Sequence, residues 1–252
     1  MFTTAAYYEA SDGAAVLHNI AAVNDPHLTT NGDDIRVPNG MNNLVGHAIL
    51  SAADAALTDA RLLAPSLRRI CNIQIGVLVN AIVFGNPPEG IMHPMLPTPL
   101  IVDESLQLQI NSDEAADTAV EIGLVWFSDG QLAPVYGDVY TVRATAAITE
   151  SAGVWVNGNL TFDQTLAVGE YEIIGMRAQS SNGVCARLVF VGSPWRPGVP
   201  MVNAKGDIDC RWFRYGRLGS LGRFHSTNPP TLDVLGVTST AQVIWLDLLK
   251  VG

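Results

Sequence analysis

Basic residues are almost missing from the start of this chain. Residues 1–45 carry one, Arg36, against Glu9, Asp12, Asp25, Asp33 and Asp34. No basic arm is there to exchange counterions with phosphates, so direct nucleic-acid binding is not expected. Cysteine is scarce too. Cys71, Cys185 and Cys210 are an odd number at wide spacing, which excludes a disulfide framework and suits buried thiols in a reducing compartment. The longest apolar run, Ile75 to Phe84, is broken by Asn80 and falls short of the roughly 20 residues of a membrane-spanning helix, so any membrane contact is expected to be peripheral. The first residues, MFTTAAYYEASDG, lack the basic start and apolar block of a secretion signal, and no export is implied. The Asn-Leu-Thr triplet at Asn159 then reads as accidental. No His-x-His phrase, GxSxG elbow or paired CxxC occurs, so neither a cofactor nor a catalysed reaction is expected.

What the chain has is apolar content and turns. Of 252 residues 48% are hydrophobic and only 15% charged, a composition that predicts a sizeable core. The net charge of −10 is unevenly spread: residues 1–130 hold 4 basic and 15 acidic side chains, residues 131–252 hold 10 and 9. The two parts therefore attract each other, or the opposite part of a neighbouring molecule. From Leu100 onward the pattern alternates as strands do, in LQLQI (106–110), VYTVRATA (139–146) and EYEIIGM (170–176). Between such phrases sit NSDEAAD, SDGQLAP, NGN, SSNG and NPP, all rich in turn formers. The class is all-β, a sandwich or barrel. Two stretches depart from this: Ser11–Asp25 places Val16, Leu17, Ile20 and Val23 at helical spacing after a capping start, and alanine-rich Gly46–Ala60 also reads as helix.

One phrase is written twice. DTAVEIGLVWF (117–127) and STAQVIWLDLL (239–249) match at Thr118/Thr240, Ala119/Ala241, Ile122/Ile244 and Leu124/Leu246, all at an offset of 122. Upstream, RICNIQIGVLV (69–79) resembles GVCARLVFVG (183–192), with Cys71 opposite Cys185, and each is followed by a proline-rich linker. The copies so defined run over residues 40–132 and 133–252, behind an N-terminal segment of 1–39 that is helical or irregular. Sixteen strands shared over Gly46–Gly252 come to about 13 residues each with their loops, which suits two eight-stranded sandwiches.

The paired strand phrases, the WFSDG turn (Trp126–Gly130) between the copies, the proline-rich loops at matching places and the C-terminal strand together resemble the double jelly-roll major capsid proteins of tailless icosahedral viruses. The likeness covers Gly40–Gly252 and rests on architecture, since no short motif is diagnostic. It implies two tandem jelly-roll β-sandwiches standing side by side, and a homotrimer of pseudo-hexagonal outline that tiles a shell. It also implies other capsid proteins as partners, an internal membrane beneath the shell in those viruses that have one, and a place in the virion after assembly in the host cytoplasm. A chain this short implies small loops and little outward decoration.

The strongest local feature is RWFRYGRLGSLGRF (211–224). Arg211, Trp212, Arg214, Tyr215, Arg217 and Arg223 mix guanidinium and aromatic groups as subunit or inter-domain interfaces do, and the acidic first part supplies carboxylates. A surface strand with ordinary ion pairs and a stacking surface for nucleic acid are the other readings of the same residues. Gly216, Gly219 and Gly222 do not fit a phosphate-binding glycine loop. The carboxylate pairs Asp33-Asp34, Asp103-Glu104 and Asp113-Glu114 read as solvated turns, and Asp207-x-Asp209 as the one pair worth testing for a cation. A carbohydrate- or receptor-binding sandwich is the alternative function; it requires aromatics such as Trp155 and Trp195 to flank a groove.

Overall fold

The computed structural model describes residues 1–10, 16–51, 57–69, 73–74, 77–79, 96–112, 120–131, 137–202, 219–238 and 241–251. The described residues are all-β: strands make up the bulk of them, and the helical element among them is one short 3-10 turn. The first half contains β1 (Phe2–Glu9), β2 (His18–Asn19), β3 (Ala21–Ala22), β4 (Thr30–Asn31), β5 (Asp34–Arg36), β6 (Asn43–Ser51) and β7 (Leu57–Leu63). A single 3-10 turn, Leu67–Arg69, precedes β8 (Ile73–Gln74), β9 (Val77–Val79), β10 (Thr98–Pro99), β11 (Ser105–Ser112) and β12 (Glu121–Ser128). The second half contains β13 (Val139–Ala146), β14 (Val156–Gly158), β15 (Thr161–Phe162), β16 (Glu170–Gln179), β17 (Gly183–Val189), β18 (Gly198–Val202), β19 (Gly222–His225), β20 (Thr231–Gly236) and β21 (Gln242–Lys250).

In the first half β12 lies between β1 and β6; β6 carries β10 and, in parallel, β9, while β1 carries β3. The second half repeats this with β21 between β13 and β16, β16 carrying β19 and, in parallel, β18, and β13 carrying β15. The facing sheets correspond as well. β11 lies between β7 and β2 with β8 on β7, and β20 lies between β17 and β14 with β18 on β17. Among the described residues, only the β4–β5 hairpin, paired onto β11, has no counterpart.

Among the described residues both expected helices give way to strands, with 11–15 of the first outside them. His18–Asn19 pair with β11, and Ala21–Ala22 with β1, so this segment steps from one sheet to the other and turns Ile20 into the core between them. Two sheet edges satisfy its backbone, which a lone short helix could not match. Gly46–Ala60 divides into β6 and β7, with 52–56 outside the described residues. Its alanines mislead because β6 is sandwiched between layers, where a small side chain such as Ala48 is set by packing rather than by helix propensity.

Alternation explains the layers. In β11, Leu106, Leu108 and Ile110 point inward with Gln107 and Gln109 outward. In β12 every residue is buried: Val125 and Phe127 belong to the core of the first half, whereas Ile122, Leu124 and Trp126 join the cluster of the second half. The sheet of β1, β12 and β6 thus has a core on each face. The offset of 122 is corrected by one register. Ile122 and Leu124 face across to the second half, while Ile244 and Leu246 face into that half's own core, and a shift of one residue exchanges the two faces of a strand. The pairing of Cys71 with Cys185 is likewise replaced, since the strand equivalent to β17 is β7, which precedes Cys71.

Candidate functional site

The two halves meet where β1 and β12 pack on β17 and β18, and the meeting is polar at its centre. Arg187, on β17, is 1% exposed. Its Nε donates to Asp233 Oδ2 (3.0 Å), and its terminal NH1 donates to the Thr4 carbonyl (3.0 Å) and to Asp25 in the first half. The Trp155 ring covers the guanidinium at 3.8 Å from its centroid. Beside it Thr4 N donates to the Arg196 carbonyl (2.9 Å), Arg196 N to Thr3 Oγ1 (3.1 Å) and Trp126 Nε1 to the Gly198 carbonyl (2.9 Å). Gly198 permits this approach: a Cβ there would lie 3.0 Å from Thr4 Oγ1 and 2.6 Å from Arg187 Cβ. Arg196 also donates to His27, whose pKa is lowered by burial first and by the Arg196 charge second, so the ring accepts as neutral imidazole.

The first half has the same construction on its outer face. Arg61 on β7 stands opposite Gln109 on β11, which stands opposite Asn19 on β2; Arg187, Asp233 and Asn157 occupy those three places in the second half. The hydrogen bonds correspond. Arg61 Nε donates to Gln109 Oε1 (3.0 Å) as Arg187 Nε does to Asp233, and Gln109 is bonded to Asn19 (2.7 Å) as Asp233 is to Asn157 (2.8 Å). Asp33 extends the row, accepting from Asn19 and from Gln107 Nε2 (3.2 Å). The difference lies at the far end. Arg187 spends its terminal nitrogen on the first half, whereas the terminal nitrogens of half-buried Arg61 have no partner among the described residues.

Of the arginine-aromatic phrase, Arg211, Trp212, Arg214, Tyr215 and Arg217 lie outside the described residues, as do Asp113, Glu114, Asp207 and Asp209. Arg223 is on β19, exposed, and 3.1 Å from Glu172 on β16. Among the described residues the joint is built on Arg187 and Arg196, neither of which was singled out from the sequence. A signal existed: the tripeptide Ala-Arg-Leu occurs at 60–62 and again at 186–188. Asp103-Glu104 is not a solvated turn. Glu104 is buried and accepts from Ser66 N (2.9 Å) and Ile101 N (2.8 Å), tying two loops together. Cys185 is buried, and burial pushes its thiol up to about 12, which leaves it unreactive. Glu150, also buried, accepts from Ser180 Oγ (2.8 Å) and Gln242 Nε2 (2.9 Å), and burial raises its pKa. Among the described residues no three His, Cys, Asp or Glu side chains group as metal ligands, and no helix is long and apolar enough to cross a membrane. No family model, curated protein or solved structure matches the chain.

Proposed function

We propose that this chain is a viral coat subunit made of two tandem jelly rolls, which joins with its own copies into trimers and then into an icosahedral shell. The carrying observation is the repeated strand order. Taking β1, β2, β6, β7, β8, β10, β11 and β12 as eight successive strands, one sheet holds the sixth, third, last and first, and the other the second, seventh, fourth and fifth. That order supports a jelly roll, in which a long antiparallel ribbon wraps into two sheets. The second half supplies the same set in the same order. Two like modules in one chain give a subunit that can present six modules from three copies, and symmetry then multiplies weak lateral contacts. The acidic N-terminal part leaves the inner side to protein or to a membrane rather than to nucleic acid. No catalytic step is assigned.

The glycan-binding alternative loses support, because the tryptophans it depends on are engaged elsewhere: Trp155 lies against Arg187, and Trp195 packs on the core of the first half. The test is assembly. Purified chain, followed by light scattering and negative-stain microscopy as concentration rises, is expected to give multi-megadalton closed particles. A chain that remains monomeric at every concentration would overturn the coat reading.

A further inference from the structure

We propose that the polar face around Arg61 receives a second copy of this chain, whose β13 lies across it as β1 lies across Arg187 within one molecule. Three observations converge. The triad of Arg61, Gln109 and Asn19 reproduces that of Arg187, Asp233 and Asn157 in position and in its chain of hydrogen bonds, and Arg187 and Asp233 of the latter form the floor of a joint. Among the described residues the donor end of Arg61 has no partner, where that of Arg187 is occupied. Next, β1 and β13 hold the same place in their sheets, beside β12 and β21, yet their exposure differs. β1 is buried on both faces over its first six residues because the second half covers it, while β13 leaves Val139, Thr141 and Arg143 exposed on the face turned away from its own core. One chain therefore carries one formed joint and the two unmatched surfaces of another. Finally, residues 1–130 carry a net −11 and residues 131–252 a net +1, so a contact between first half and second half brings unlike charge together.

The contact is heterologous, head to tail, and each copy that binds leaves its own two surfaces for the next. The inference rests on the coat reading in that it names the surface through which subunits join, and it can fail separately. Two single variants of the full chain test it by sedimentation velocity: Arg61→Glu, which reverses the donor, and Val139→Glu, which places charge on the outer face of β13. Arg61 is half-buried and Val139 exposed, and unfolding midpoints close to wild type verify that each variant folds. Each variant alone is expected to self-associate at least about 30-fold more weakly than wild type. Mixed, they are expected to give a one-to-one dimer that grows no further, since only one intact head and one intact tail remain. Wild-type association by Arg61→Glu, or a mixture that stays monomeric, overturns the proposal. Shells that form regardless of Arg61 would leave the coat reading standing and remove this surface; Arg61-dependent rings that never build shells would do the reverse.

Discussion

Glu150 shows how one buried carboxyl ties stability to pH. One oxygen accepts from Ser180 and Gln242, and the other lies against Gly236, where a Cβ would approach it to 1.8 Å. Burial raises its pKa, so the folded chain keeps a proton that the unfolded chain releases sooner. The stabilisation from this group is complete below the ordinary carboxylate pKa and is lost as pH rises through the raised value. Glu150→Gln retains an acceptor and cannot ionise. Thermal melts are expected to show the variant above wild type at about pH 8, with the gap closing or reversing at about pH 4. Gly236→Ala, by contrast, is expected to lower the melting temperature at every pH, because the methyl group has no room beside that oxygen.

At the scale of elements, β12 is the most constrained strand, with a core on each face and a partner on each edge. Gly123 is the thin point that admits Leu108: a Cβ would stand 2.0 Å from Leu108 Cδ2. Gly123→Ala is expected to cost about 1–3 kcal/mol, read as a lower denaturant midpoint. Such strands were legible from the sequence. LQLQI and VYTVRATA alternate because one face meets water, and they became β11 and β13. β6 was not legible, since a strand covered on both faces loses the alternation and its alanines imitate a helix. The short β2 and β3 were hidden for another reason: two-residue strands carry no periodicity of their own, and the partner of β2, β11, is remote in sequence. The repeated strand order was visible as a phrase, but an offset off by one residue cannot be detected without knowing which face is inside. Arg61 and Arg187 were discoverable, through the Ala-Arg-Leu pair, had both been set on facing strands.

For the whole molecule, the joint determines whether the halves behave as one unit. Arg187 serves Asp233 in its own half and Asp25 and Thr4 in the other, all out of water. Arg187→Ala strands two carboxylates and is expected to cost about 3–5 kcal/mol in urea unfolding. The same change at Arg61, in the same place on an open face, is expected to stay within about 0.5 kcal/mol in the monomer. The pairing of β1 with β12 has a consequence for birth as well as for stability. Glu9 must find Glu121, and at ~5–20 residues per second the ribosome needs roughly 5–20 s to produce the partner strand. Through that interval one edge of β1 awaits its mate and the other has only the two-residue β3 to pair with. Chaperone capture of nascent chains is therefore expected to concentrate on this leading ribbon.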